Sequence, residues 1–323
     1  LEENMKIAII GAGAAGSVFA SFLKKGGNDE IWLVDLNEAH MDKIRKDGLV
    51  MQGPNGDELI KGFHTTTSAA EVGLCDAIIL VVKATQTGSA MIGAKSCMDS
   101  NTVVVTLQNG LGNELALEKY VPANRIAYGC GRIATALPAP GICMGRPAAG
   151  ITNMVLGAYE HSDETERICK HLVEVFAAGG LTPEYYDDVR PLIWKKAASN
   201  SGFNTVGAIL GLTIKQIYDD ADGFELVKRI FNEAGQVAKA LGISDNLYDS
   251  LMHDVTSTVK SYGDSYPSMA QDVLMHQRQT EVMSLTGAIA LYGDKVGIET
   301  PTCDVLSHVI KAIQANYDVR YKA

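Results

Sequence analysis

The chain is poor in the groups that build metal centres, disulfide frameworks and membrane spans. Its six cysteines, Cys75, Cys97, Cys130, Cys143, Cys169 and Cys303, contain no C-x-x-C pair and no His-Cys cluster at metal-ligand spacing. That excludes a zinc ribbon or a stapled secreted domain and leaves reduced, mostly buried thiols of a cytoplasmic protein. The seven histidines are dispersed, with neither an H-E-x-x-H motif nor a Ser-His-Asp hint, so no metal is expected. An uninterrupted apolar run of about 18 residues, the length a membrane helix needs, is absent. The opening residues also lack the basic-then-apolar order of a signal peptide, so the chain reads as soluble, without a membrane partner. Positive charge is in deficit: 28 Lys and Arg face 38 Asp and Glu, for a net charge of −10. A protein that coats nucleic acid neutralises phosphates with excess basic charge, and this one has none to spare.

With 323 residues, 46% of them apolar, the chain can bury two sizeable cores. Its first half alternates β-rich runs with helical segments. "KIAIIGAGAAGSVFASFLKKGG" reads as strand, glycine turn and helix, while "IWLVDL", "DAIILVVK", "NTVVVTLQNG" and "ITNMVLGAY" read as further strands. This order predicts an α/β fold with a Rossmann-type, doubly wound parallel sheet and helical crossovers. Beyond "TPEYYDDVRP" the strand signal fades into successive helices, which predicts an all-α C-terminal domain. The boundary falls near residue 187, where Asp187, Asp188 and Pro191 can start a helix. The domains are then 5–186, for dinucleotide binding, and 187–323, for substrate and catalysis.

The sharpest local motif is Gly11-Ala12-Gly13-Ala14-Ala15-Gly16, which follows an apolar strand and opens a helix, with Asp35 ending the second strand. In that context G-x-G-x-x-G is a dinucleotide fingerprint. Gly11 permits the tight turn, Gly13 lets the backbone approach a pyrophosphate, Gly16 packs helix on strand, and the helix N-terminus faces the phosphates. A carboxylate at Asp35 accepts from both ribose hydroxyls and repels a 2′-phosphate, so NAD is favoured over NADP. The loops "VVKATQT" and "LQNGLGN" lie at expected carboxyl ends of strands. Lys83 can neutralise a phosphate or steady the ribose, and Asn109 can orient the nicotinamide ribose or the substrate. A solvated loop lysine and an Asn-Gly turn are the alternatives.

The stretch "WKKAASNSGFNT" spaces Lys196, Asn200 and Asn204 four residues apart. Steps of four drift only about 40° on a helix, so the three share one stripe roughly 12 Å long. They can face one pocket, or else the lysine is solvated and the amides satisfy backbone. Trp194, Phe203, Met269 and Met275 can line the substrate side-chain pocket, but a helical domain needs such residues for its own core, and core packing is the expectation.

Together, "GAGAAG", "VVKATQT", "LQNGLGN", "WKKAASNSGFNT" and "SMAQD" followed by "RQTE" resemble the ketopantoate reductase (2-dehydropantoate 2-reductase) family, in that family's order and over nearly the whole chain. The resemblance implies hydride transfer between a nicotinamide cofactor and a small 2-oxo acid, giving a D-2-hydroxy acid. It implies that Lys196 is the general acid, that Asn200 and Asn204 contact substrate, that Ser268 binds the carboxylate end, and that Glu281 closes the site. It carries over the loop roles to Lys83 and Asn109.

Three departures accompany the resemblance. Pantoate-forming members favour NADP and often carry a basic residue where this chain has Asp35. Asn204 precedes Thr205 instead of proline, and the segment from Ser268 to Glu281 is one residue longer than usual. Asp35 points to the NAD-dependent D-2-hydroxy-acid dehydrogenase branch. The other readings are an NADP-dependent 2-dehydropantoate 2-reductase of pantothenate biosynthesis and a non-catalytic dinucleotide sensor. The implied partner is a small 2-oxo or 2-hydroxy acid, and the apolar helical half is compatible with a homodimer.

Overall fold

The structure is a computed structural model that describes residues 4–53, 56–147 and 151–319. The chain forms two compact units, one of residues 1–108 and 113–189, the other of residues 109–112 and 190–323.

In chain order the first unit contains β1 (Lys6–Ile10), α1 (Ala14–Gly26), β2 (Glu30–Val34), α2 (Glu38–Asp47), β3 (Leu49–Gly53), β4 (Gly56–Ile60) and β5 (His64–Thr66). There follow β6 (Ala77–Leu80), α3 (Thr87–Gly93), β7 (Val103–Thr106), α4 (Asn113–Leu117), β8 (Ile126–Gly131), β9 (Ile133–Ala139), β10 (Ile142–Pro147), β11 (Met154–Ala158), α5 (Asp163–Ala178) and β12 (Pro183–Tyr185). Eight strands form the main sheet in the order β12-β11-β8-β7-β6-β1-β2-β5. Side chains alternate across it: Ile7 and Ile9 enter one core with α1, α2 and α5, while Ala8 and Ile10 enter the other with α3 and α4. Burial on both faces is what makes such strands continuous apolar runs. The order reverses at β1, flanked by β2 and β6, and the crevice beyond its carboxyl end is where an open α/β sheet binds ligands.

Two features modify the expected sheet. β11 runs antiparallel to β8, although β12 then pairs parallel with β11. A second sheet, β4-β3-β10-β9, packs onto α1 and was not anticipated. Its strands carry Gly and Pro, as in "ALPAPGICMGRP", which read locally as turns.

The second unit contains α6 (Arg190–Leu210), α7 (Ile214–Asp219), α8 (Ala221–Ala240), α9 (Leu247–Tyr262), α10 (Ser268–Gln271), α11 (Thr286–Val296) and α12 (Pro301–Ala315). α6 is its central helix, buried from Ser201 through Ala208 without a break. Its small residues are explained by close crossings. A Cβ on Gly202 would lie 2.7 Å from the Phe231 ring, and one on Gly207 would lie 2.8 Å from Pro267. Trp194, Phe203 and Met269 are core residues, but Met275 is 57% exposed.

Glu233 on α8 joins two helices of this unit. It is buried, and its carboxylate accepts the N–H groups of Thr302 and Cys303, each at 2.8 Å, at the start of α12. These are donors that a helix cannot satisfy internally, and the negative charge faces the positive end of the dipole. Glu233→Gln keeps the shape but surrenders the charge and one acceptor, so it should cost roughly 1.5–3 kcal/mol. Urea unfolding should show a lower midpoint at unchanged slope.

All six cysteines are buried thiols outside any disulfide. Burial pushes the thiols of Cys75 and Cys169 up to about 12 and that of Cys143 up to about 11. Thiols held protonated in this way are poor nucleophiles. No described helix is long and apolar enough to cross a membrane. Among the described residues no group of acidic, His and Cys side chains could hold a metal.

Candidate active site

In the first unit the glycine turn connects β1 to α1. Gly11 has φ +92°, and a Cβ there would sit 2.7 Å from the backbone nitrogen of Val82. A Cβ on Gly16 would sit 2.2 Å from the Gly11 carbonyl oxygen. The fold itself therefore requires both. Gly13 differs, because its φ is −72° and a Cβ on it would meet no described atom within 4 Å. Nothing among the described residues demands glycine there, whereas close approach of a bound group would. Gly13 is also the N-cap of α1, with no side-chain cap among the described residues and no acid in the first turn. The first N–H groups of the helix are presented as donors with a positive field behind them.

The turn is tied to the end of β2. The N–H groups of Gly11 and Ala12 donate to the Val34 carbonyl at 2.9 and 3.2 Å. Asp35 comes next, half-buried, with one carboxylate oxygen accepting the Asn37 N–H at 2.9 Å. Lys83 follows β6, and its carbonyl accepts the Gln86 N–H at 2.7 Å. Buried Gln108, which lies in the "LQNGLGN" motif but was given no role from sequence, stitches the loops after β6 and β7. Its amide donates to the Val82 carbonyl and the Thr87 hydroxyl, and its carbonyl accepts from Thr106. Its place in that motif, directly after an apolar strand, is the signal that could have found it.

In the second unit Lys196, Asn200 and Asn204 lie on α6 as the four-residue spacing predicts. Lys196 Nζ donates to Asn109 Oδ1 at 2.8 Å. Asn204 Nδ2 donates to Ser268 Oγ at 3.2 Å, with Ser268 the first residue of α10. The two interactions lie two helical turns apart along one stripe. Neighbouring Lys195 turns elsewhere, to Asp254 on α9 at 2.6 Å.

Residues 109–112 follow β7 in sequence but belong to the helical unit. Leu111 N–H donates to the Ser284 carbonyl at 2.8 Å. Gly110 has φ +93°, and a Cβ there would lie 2.2 Å from that same oxygen. Asn-Gly is therefore a turn here, as its composition allows, and the turn delivers Asn109 to Lys196. Glu281 begins the segment that receives the loop, its carbonyl accepting both the N–H and the hydroxyl of Ser284 at 3.0 Å. Ser284 carried no sequence signal.

Between Ser268 and Glu281 the chain passes through a π turn, Asp272–His276, that ends at left-handed Gln277, φ +48°. The Gln277 N–H reaches back to the Asp272 carbonyl, and Arg278 Nε donates to the Asp272 carboxylate at 2.5 Å. A π turn holds one residue more than an α turn, so it can absorb a one-residue excess without shifting the flanking residues.

Comparison with known proteins agrees with this architecture. The family description "Ketopantoate reductase PanE/ApbA" matches residues 7–161, and its C-terminal counterpart matches residues 188–314. The 2-dehydropantoate 2-reductase of Streptococcus pyogenes serotype M3 is 30% identical over 98% of this chain and 100% of its own. The enzyme of the same name from Lactococcus lactis is 32% identical over 95% of this chain and 97% of its own. Among solved structures, D-mandelate dehydrogenase with NADH and anilino(oxo)acetate superposes with a TM-score of 0.87 at 30% identity, covering 98% of this chain and 100% of that one. With both halves matched in order, the chain belongs to the ketopantoate reductase family.

Proposed function

We propose that this protein is an NAD-dependent reductase of small 2-oxo acids, of the D-2-hydroxy-acid dehydrogenase kind, with Lys196 as its general acid. The observation that carries the reading is the lysine ammonium held at 2.8 Å by Asn109 at the head of an amide stripe. Dinucleotide binding alone needs none of that stripe, which argues against a non-catalytic sensor.

The glycine turn fits a dinucleotide: Gly13 leaves the backbone open to close approach, and the uncapped start of α1 offers N–H donors to phosphate. Gly11 through Gly16 would cradle the pyrophosphate, Asp35 would accept from the ribose, and Lys83 would neutralise or steady what the turn holds. When bound, the nicotinamide supplies a hydride to the carbonyl carbon of the acid. Lys196 stabilises the charge that develops on the carbonyl oxygen and donates the proton. Asn109 aims the ammonium. Asn200 and Asn204 offer amide donors to the substrate oxygens. Because Ser268 Oγ accepts from Asn204, its own hydrogen can point to the substrate carboxylate. Glu281 balances the charge of the lysine.

Asp35 supports NAD, as does the NADH in the D-mandelate dehydrogenase complex. A second reading, an NADP-dependent 2-dehydropantoate 2-reductase, is favoured by the names of the relatives at 30 and 32% identity. The discriminating experiment is a screen of branched and aromatic 2-oxo acids and 2-dehydropantoate with NADH and with NADPH. Highest kcat/KM with NADH and an aromatic or branched acid upholds the proposal. Preference for NADPH with 2-dehydropantoate transfers it to the second reading, and no turnover with any pair overturns both.

On the preferred acid, Ser268→Ala and Asn204→Ala should each raise KM for the acid by roughly 2- to 12-fold, the worth of one neutral hydrogen bond. KM for the cofactor should stay fixed. Steady-state kinetics with each substrate varied separately checks this.

A further inference from the structure

His40 is one of the seven dispersed histidines, and in the fold it is wholly buried on α2. Both ring nitrogens are engaged. Nδ1 accepts the N–H of Gly141, in the turn between β9 and β10, at 2.8 Å, and Nε2 lies 3.0 Å from the hydroxyl of Ser17 on α1. Ser17 is itself wholly buried and donates to the carbonyl of Ala12 at 2.8 Å. The directions of these bonds follow from one another. A nitrogen that accepts from Gly141 carries no proton, so the proton sits on Nε2 and is donated to Ser17 Oγ. The Ser17 hydrogen is thereby committed to Ala12. Burial works the same way, lowering the histidine pKa against the pull of nearby Asp35 and keeping the ring neutral.

We propose that His40 is a positioning residue for the dinucleotide turn, acting through Ser17 to hold the Ala12 carbonyl inward and so turn the Gly13 N–H outward as a phosphate donor. The inference rests on the reading of residues 11–16 as the pyrophosphate site. The described peptide bonds include no cis bond. In a planar trans peptide, C=O and N–H point in opposite directions. Fixing the Ala12 carbonyl on Ser17 therefore fixes the direction of the next N–H, at the glycine whose surroundings are open. The donor is set before the ligand arrives, and a preset donor spends less of the binding free energy on ordering. An apolar side chain at position 40 would fill the space beneath the turn equally well, but it would leave the Ser17 hydroxyl free to turn its hydrogen away from the Ala12 carbonyl.

The test uses the full chain, titrated with NADH and with NADPH by nicotinamide fluorescence. The variants are His40→Ala, Ser17→Ala, the double variant and His40→Gln, whose amide can still donate to Ser17. His40→Ala and Ser17→Ala should each raise Kd by roughly 3- to 10-fold. The double variant should be no worse than the weaker single one, because both break one relay. His40→Gln should recover most of the affinity. NADH and NADPH should weaken by the same factor, since they share the pyrophosphate, whereas a disturbed Asp35 loop would change their ratio. The kinetic effect should fall in the KM for the cofactor and not in kcat. Ile168→Val, a core change on α5, should lower thermal stability without touching the relay and leave Kd alone.

Independent effects that multiply in the double variant would overturn the proposal. So would a lowered melting temperature with unchanged Kd. If His40→Ala does not fold, Ser17→Ala and His40→Gln decide the matter alone. A wild-type protein that binds neither dinucleotide sinks the pyrophosphate reading and this inference with it. Wild-type binding with unaffected variants sinks this inference only.

Discussion

Lys196→Ala is expected to reduce kcat on the preferred 2-oxo acid by ~10²-fold or more while leaving cofactor affinity unchanged. The loss has two parts, the proton and the charge. Without the ammonium, water must protonate the developing alkoxide, and no fixed positive charge lowers the barrier to forming it. Lys196→Arg separates the two contributions. It restores a cation, but with a pKa above about 12 a guanidinium is a poor proton donor, so rescue should be partial. Lys195→Ala is the internal control. That side chain turns about 100° away on the helix and pairs with Asp254 at 2.6 Å, so turnover should stay near the wild-type value. Single-turnover rates at saturating cofactor and acid are the measurement, because they isolate the chemical step from product release. Near-normal rates for Lys196→Ala, or a larger loss at Lys195, would return the α6 stripe to a structural role.

Asp35→Ser should weaken NADH binding and narrow the gap to NADPH, and Asp35→Arg should reverse the preference. The carboxylate stands at the end of β2, where the adenine ribose lies in this class of fold, and Asn37 pins one of its oxygens at 2.9 Å. Each charge-assisted hydrogen bond lost costs roughly 1.5–3 kcal/mol, so removing two shifts affinity by at least about 10²-fold. For NADPH the sign is opposite, because the substitution removes a repulsion between the carboxylate and a 2′-phosphate. Dissociation constants for both cofactors with wild type, Asp35→Ser and Asp35→Arg provide the check. A wild type that already prefers NADPH tenfold would contradict this role for Asp35 outright, since the same carboxylate would then have to tolerate the phosphate.

The amino-acid sequence determined those features that contiguous residues build. The glycine turn is legible because strand, turn and helix lie within one short stretch. The α6 stripe is legible because helical period alone aligns residues four apart. The parallel β1, β2, β6 and β7 strands are legible because burial on both faces leaves apolar runs. Tertiary structure decided what pairs distant residues. The second sheet is built from strands whose Gly and Pro content reads locally as turns, and pairing partners override that preference. β11 runs antiparallel because direction is set by the chain's return path, which its own residues do not encode. Asn109 follows a strand of the first unit but is held in the second, since the carbonyl that accepts Leu111 lies on Ser284, far along the chain. The π turn before Glu281 depends on which carbonyl the Gln277 and Arg278 N–H groups find. His40 gives the sharpest contrast: its chemistry rests on Gly141, 101 residues away, and no local pattern marks a histidine whose two nitrogens will be satisfied by different elements. Sequence period governs which side chains share a face; only packing governs what that face meets.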